Sequence, residues 1–270
     1  MIALLRSEWR KTTSTRLWWT LAAAGYIGLT AAGLAASFHF ASASGDMGDM
    51  GDLSGLTGVQ LARVVYAVGP SLGYVFPAIL GALTVTTEFR HQTITPTLLA
   101  EPRRGRVLVA KLIAVLPLSG AFGVLLTVVG VGLGAATLAL LGQPTGLDQP
   151  ATWVSLGRSV AAFAIWGVFG VGLGLVIHQQ VGAIVVLLAF TQLLEPMVRL
   201  IPALTGQSWA VFDYLPGALG EAVSGASLYS GFSPLLGSPL DWPLATLCLT
   251  GYGLVFAAVG FFTTWRRDIS

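Results

Sequence analysis

The sequence predicts an all-α, polytopic membrane protein: six transmembrane helices, an N-terminal amphipathic helix, a short cytosolic helix and an outer, partly re-entrant segment, within one domain over 1–270. Three observations carry this. The chain is 54% hydrophobic and only 10% charged, with a mean hydropathy of +0.78, whereas soluble domains carry roughly 25% charged residues. Its charges are clustered, leaving uncharged stretches at 17–45, 64–87, 112–147, 159–194 and 242–265, each longer than the ~18 apolar residues that mark a spanning helix. These stretches are continuously apolar and lack the two-residue alternation of a transmembrane β-strand, so they read as helices.

The elements follow in order. Residues 1–16 place Ile2, Leu5 and Trp9 on one helical face with Arg6, Arg10 and Lys11 turned elsewhere, which reads equally as an interfacial amphipathic helix or as an anchor orienting the first span. A basic start before an apolar run resembles a signal peptide, but the run is too long for one. The first span is expected at 17–38 and the second at 61–86, with a polar, glycine-rich loop between them. Thr95 is expected to cap a short helix beginning at Pro96 and stopped by Pro102. The third span runs from about 107 to about 141, tilted or broken at Pro117, and ends in the turn Gly142-Gln143-Pro144-Thr145-Gly146. Almost 50 apolar residues follow, interrupted only by His178-Gln179-Gln180, which predicts a hairpin joining a fourth span at 153–177 to a fifth at 181–200. Residues 201–241 suit an extramembrane or re-entrant segment, and a sixth span covers 242–265.

Six crossings put both termini on one side. Arg6, Arg10, Lys11, Arg16, Arg90, Arg103, Arg104, Arg106, Lys111, Arg266 and Arg267 fall there, against Arg63, Arg158 and Arg199 opposite, so the positive-inside rule places the termini in the cytoplasm of a multi-pass cytoplasmic (inner) membrane protein. Asp46, Asp49, Asp52, Asp148, Asp213, Glu221 and Asp241 then fall outside.

Composition narrows the function. A net charge of +2 gives no argument for nucleic acid, and the single cysteine, Cys248, excludes an internal disulfide. No Gly-x-Ser-x-Gly elbow or His-Glu-x-x-His run supports hydrolysis, so the chain is not expected to be an enzyme by itself. Nor does Lys11 or Lys111 sit in a phosphate-cradling Gly-rich loop. The repeated Asp-Met-Gly at 46–51 mixes hard and soft donors without fixed geometry and reads as a flexible acidic loop; His39 and His91 have no second His at helical spacing, and no metal site is expected. Glycines within spans, such as Gly167, Gly170, Gly172 and Gly174, read as close-packing positions between spans or protomers. Glu195 lies in an apolar span, where a carboxylate costs roughly 2.5–3.5 kcal/mol. It reads either as lining a route or as a satisfied structural group near the break at Pro196; a proton relay would need a second membrane acid, and the sequence suggests none.

The segment from Thr87 to Lys111, TEFRHQTITPTLLAEPRRGRVLVAK, resembles the stretch after the second helix in permeases of the ABC-2 type transporter family. The block from Gly172-Val-Gly-Leu-Gly to Glu195-Pro196, followed by Leu215-Pro216-Gly217, resembles that family's fourth-to-fifth hairpin and outer loop, with a departure at His178-Gln179-Gln180 where an Arg-Asn-like turn is more usual. The resemblance implies a single transmembrane permease domain of an exporter that binds no cofactor itself, works as a homodimer or with a similar permease, and pairs with two copies of a separate ATPase subunit holding ATP and Mg. It implies that the helix around Thr95 to Ala100 is a coupling helix within the cytosolic loop 87–106, with Glu88 and Arg90 as hinge charges and Thr95, Pro96, Leu98, Leu99, Glu101 and Arg103 at the contact. A substrate route is expected along the second and fifth spans, past Tyr74, Phe76, Phe190 and Glu195. The apolar route suggests an amphipathic or hydrophobic cargo such as a drug, a peptide antibiotic or a lipid. The rivals are a membrane scaffold or sensor that recruits a cytosolic partner, and a passive channel, for which the spans offer few polar groups.

Overall fold

The computed structural model describes residues 2–14, 20, 25, 28, 58–206, 209–227 and 240–265. Among these the regular structure is helical throughout. We label the helices α1 (Ile2–Ser14), α2 (Gly58–Gly73), α3 (Val75–Arg90), α4 (Ile94–Ala100), α5 (Arg104–Leu140), α6 (Pro150–Val176), α7 (Gln180–Leu188), α8 (Glu195–Arg199), α9 (Ile201–Thr205), α10 (Pro216–Ser224) and α11 (Trp242–Gly260). Five stretches among the described residues are long and apolar enough to cross a membrane: Val59–Arg90, Arg104–Leu140, Pro150–Val176, Gln180–Arg199 and Trp242–Thr263. The expected first span lies outside the described residues except at Thr20, Gly25 and Gly28, as do the Asp-Met-Gly loop, Arg16, His39 and the basic end Arg266-Arg267.

Backbone chemistry explains where the elements depart from expectation. The second span is two helices, broken at Tyr74, because Pro77 has no N–H to offer the Gly73 carbonyl one turn back. The third is a single unbroken helix of 37 residues despite Pro117. At about 1.5 Å per residue it extends some 55 Å, beyond the ~30 Å of hydrocarbon. The hairpin at His178–Gln179 forms as expected. After it, α7 widens into a π-helical turn at Ala189–Leu194 before α8; Pro196 cannot bond the carbonyl of Gln192, and a wider turn accommodates that loss.

The central helix is α6. Its small residues admit neighbours on three sides: a side-chain carbon at Gly170 or Gly174 would overlap α3 at Ala78 or Ala82, one at Gly172 would meet α11 at Gly253, and one at Gly167 would meet Ser119 of α5. The glycines therefore pack spans against one another within the chain. Trp166 of α6, stacked on Tyr74 at 4.2 Å, sits in the largest core cluster with Phe163, Phe169, Phe122 and Leu219.

The bundle has two distinct ends. At one, α1, α4 and the start of α5 meet the ends of α3, α6 and α11, with Leu4, Phe89, Leu98 and Phe261 around Ile94, Val107 and Leu175. This end carries Arg6, Arg10, Arg90, Arg103, Arg104 and Arg106. At the other, the aromatic residues Trp153, Trp209 and Trp242 are exposed, the placement expected of an interfacial belt. Here α10, expected as outer loop or re-entrant helix, is buried along its whole length against α2, α6 and α11. Glu221 and Arg199 at this end are both buried and paired with each other.

Candidate functional site

The site is built at the basic end, where a short helix carries exposed side chains on one side. From the end of α3 the backbone turns through Gln92, whose φ of 54° lies in the left-handed region, and the Thr93 N–H bonds back to the Glu88 carbonyl at 2.9 Å. The helix then starts at Ile94, not at Pro96 as expected, with Thr93 in the cap position and no side-chain cap bond. The reason is twofold. Ile94 is drawn into the core, where only 2% of it stays accessible, and Pro96 sits in the first turn, where a missing N–H costs nothing. Thr95 is therefore inside the helix and exposed. Pro102 does set the stop: Glu101 before it is extended, with φ −135° and ψ 96°.

A cluster of four charges underlies α4. Lys111, two turns into α5 and almost wholly buried, places its ammonium 2.7 Å from Glu8 Oε2, 3.0 Å from Glu88 Oε1 and 3.0 Å from the Thr84 carbonyl. Lys11 of α1 donates to Glu8 Oε1 at 2.8 Å, Glu88 Oε1 at 2.8 Å and Thr97 Oγ1 at 3.2 Å. Each ammonium thus has three acceptors for its three protons, and two carboxylates balance two cations. The cluster ties α1, α3, α4 and α5 at one point. Glu88 Oε1 takes both ammonium groups, while its buried Oε2 has no hydrogen-bond partner among the described residues.

The electrostatics follow from this packing. Burial alone would raise the Glu8 carboxyl, but the charge of Lys111, together with the hydrogen bonds and charge of Lys11, outweighs it and holds the carboxyl below its ordinary 4.5. Burial alone would lower the Lys11 ammonium; bonds to Glu8 and Glu88 reverse the sign and raise it above 10.5.

The residues expected at the contact divide cleanly. Glu88 is buried in the cluster. Arg90 is exposed and donates to Gln180 Oε1 at 3.0 Å, joining the ends of the second and fifth spans. Leu98 is half-buried in the core of this end, whereas Leu99 is 79% exposed. Thr95, Pro96 and Arg103 are exposed as well. Glu101 accepts from the Arg103 N–H at 3.2 Å and lies 4.0 Å from Arg106.

Sequence reasoning missed Glu8, Lys11 and Lys111 as members of this site. It placed Ile2, Leu5 and Trp9 on one apolar face of an interfacial helix; in the structure Leu4 packs inward, Glu8 is buried and Trp9 is 40% exposed. Two signals were available: Glu8 and Lys11 stand three apart on one face, and Lys111 begins an apolar span in which an ammonium needs partners.

The expected route residues have separate surroundings. Tyr74 is buried and donates to the Thr191 carbonyl at 3.1 Å. Phe76 is partly buried beside the core cluster, and Phe190 is 37% exposed on the π-helical turn. Glu195, only 2% exposed, accepts from the N–H groups of Gly217 at 2.9 Å and Ala218 at 2.8 Å. Its carboxylate is thus satisfied by two backbone donors.

By length and composition the described residues define a polytopic helical membrane protein. No protein-family model and no curated protein sequence matches the chain.

Proposed function

We propose that this chain is the membrane-spanning permease subunit of an ATP-driven exporter of the ABC-2 type, moving an amphipathic or hydrophobic compound across the cytoplasmic membrane. It works as a dimer of permeases above two separate ATPase subunits that hold ATP and Mg. The observation that carries the reading is the contrast within α4. Its inner side is fixed by Ile94, by Leu98 and by the Lys11–Thr97 bond, while Thr95, Pro96 and Leu99 stand open to a partner. A short helix bonded to α1, packed into the core of this end and exposed on its outer face transmits displacement. Closure of the ATPase pair on ATP would press α4, and through the charge cluster would shift α3 and α5 between inward-open and outward-open arrangements.

The orientation follows from the positive-inside rule, which puts the basic end in the cytosol. A sixth crossing is supported by the placement of the described flanks. Ser14 ends a helix at the basic end, whereas Ala62, near the start of α2, lies beside Gly146 at the far end. The helical, buried Gly25 between them sits against Phe76 and Leu126, near the middle of α5.

The test is co-isolation of the chain with an ATPase from its native membrane and measurement of ATP turnover. Leu99→Asp is the informative variant, because an exposed substitution changes stability by no more than about 0.5 kcal/mol. It should leave the bundle folded while abolishing stimulation of the ATPase. Leu98→Asp would also damage the core and is the weaker probe. Full ATPase coupling in Leu99→Asp would overturn the coupling assignment, and tight association with no effect on ATP turnover would favour a scaffold.

A further inference from the structure

The far end of the bundle holds two arginines that neither the core nor the coupling mechanism uses. Of Arg63, Arg158 and Arg199 at this end, only Arg199 has a carboxylate partner, Glu221 at 2.6 Å. Arg63 of α2 is exposed, and Arg158 of α6 is half-buried with its guanidinium 4.9 Å over the Trp242 ring. Among the described residues neither makes a hydrogen bond or an ion pair. The acids of this end are engaged or out of reach. Glu221 takes bonds from Ser71, Arg199 and Ser227, Asp148 accepts from Gln149, and Asp241, exposed ahead of α11, pairs with neither arginine.

Both arginines border one small space. Arg63 lines it with Tyr66, Thr152, Ser155, Ser159 and Ala226, and a side-chain carbon at the adjacent Gly225 would stand 3.7 Å from Arg158 Nη1 and 3.9 Å from Ser155 Oγ. The hydroxyl protons around it are already used: Tyr66, Thr152, Ser155 and Ser159 donate to the carbonyls of Thr145, Gly146, Ser224 and Ser155. The guanidinium edges are therefore the donors open to a ligand, since stacking over Trp242 leaves the in-plane N–H groups of Arg158 free. Depth follows from helix length. The stretch Trp242–Thr263 covers about 33 Å, close to the ~30 Å of hydrocarbon, so Trp242 and the Arg158 guanidinium over it mark the headgroup level at this end. Helix α6 begins at Pro150 and so reaches about 12 Å beyond Arg158. There Leu61 and Val65 of α2, Leu138 of α5 and Leu156 of α6 form an apolar cluster separate from the main core.

We propose that Arg63 and Arg158 hold the phosphate of a membrane phospholipid at the foot of this apolar cluster. A phosphodiester carries one negative charge and presents paired oxygens that a planar guanidinium meets two at a time. A lipid is the source because the aromatic ring under Arg158 sets the guanidinium at the depth where phosphates are concentrated, and a lipid held there keeps its acyl chains in the bilayer. One bound phosphate joins α2 to α6 beside the C-terminal end of α10. The inference needs the chain to lie in a membrane and is independent of export and of any ATPase.

Native mass spectrometry of the full chain, stripped of lipid in detergent and titrated with phosphatidylglycerol, phosphatidylethanolamine or phosphate-free diacylglycerol, tests this. Both phospholipids should fill a saturable site, and diacylglycerol should bind there about tenfold or more weakly. Arg63→Gln, which gives up no hydrogen bond or ion pair among the described residues, should weaken phosphatidylglycerol binding about tenfold, and Arg63→Gln/Arg158→Gln should weaken it further. Arg10→Gln, at the basic end, should bind as wild type. Diacylglycerol binding equal to that of the phospholipids, or wild-type affinity in Arg63→Gln, would overturn the proposal. So would displacement of the lipid by excess inorganic phosphate, which assigns the arginines to a free anion, or tighter lipid binding in Asp46→Asn/Asp49→Asn/Asp52→Asn, which assigns them to the acidic loop. If the double variant does not fold, Arg63→Gln and the lipid series decide.

Discussion

Replacing Lys111 with methionine isolates the energetics of the four-charge cluster. The side chain is fully buried and bonds Glu8, Glu88 and the Thr84 carbonyl, so an apolar replacement of similar length leaves two buried carboxylates with Lys11 as their shared ammonium. Removing one partner of a buried pair costs about 3–5 kcal/mol. Lys11 stays in place with its side chain 41% exposed, and water reaching it softens the loss, so we expect the low end, about 3 kcal/mol. Glu8→Gln alone should also destabilise. The double variant Glu8→Gln/Lys111→Met leaves Glu88 and Lys11 as a neutral pair, and should therefore cost roughly 1–2 kcal/mol less than the sum of the singles. Reversible denaturation in mild detergent, followed by tryptophan fluorescence and by hydrogen exchange in α1, measures all four corners of the cycle. A loss below about 0.5 kcal/mol for Lys111→Met, or singles that add within about 0.3 kcal/mol, would refute the claim that these charges bind the helices together.

Other outcomes follow from the same structure. Glu8 is held below 4.5, so its contribution to α1 docking is complete above that value and is lost as pH falls through the lower folded one; Lys11 is raised above 10.5, so its contribution is complete below that value and is lost as pH rises beyond it. Docking of α1 should therefore be level between these limits, and protection in α1 that falls between neutral pH and mild alkali, after correction for intrinsic exchange, would contradict it. Gly170→Ala would drive a methyl into the Ala78 carbonyl and part α3 from α6, costing about 1–3 kcal/mol or more. Gly157→Ala, on the same helix but with nothing within 4 Å, should gain up to about 1 kcal/mol from helix propensity. Thermal unfolding of the two variants side by side reads the contrast, and equal effects would discount the close packing.

The legible part of the fold was the part written in one dimension. Long apolar stretches marked the five helical stretches long and apolar enough to cross a membrane, and the polar interruption at His178–Gln179 marked a hairpin between two of them. Pro102 marked the stop of α4, and the glycines of α6 marked close packing. Local cues failed where two elements had to meet. Thr95 and Pro96 looked like a cap and a first residue, yet the pull of Ile94 into the core moved the start of α4 earlier. Glu221 looked like a loop acid because Pro, Gly and Ser surround it, but Ser71, far back in the chain, and Arg199 are among its partners.

By itself the sequence determined the apolar, helical character of this protein, since hydropathy acts through bilayer thickness, which needs no tertiary contact. Only the tertiary structure decided which charges are buried: Glu8, Lys11, Glu88 and Lys111 come from three separate segments, and Glu195 caps a helix in a fourth. A buried ion is stable only where its partners converge in space, and that convergence is a property of packing rather than of any window along the chain.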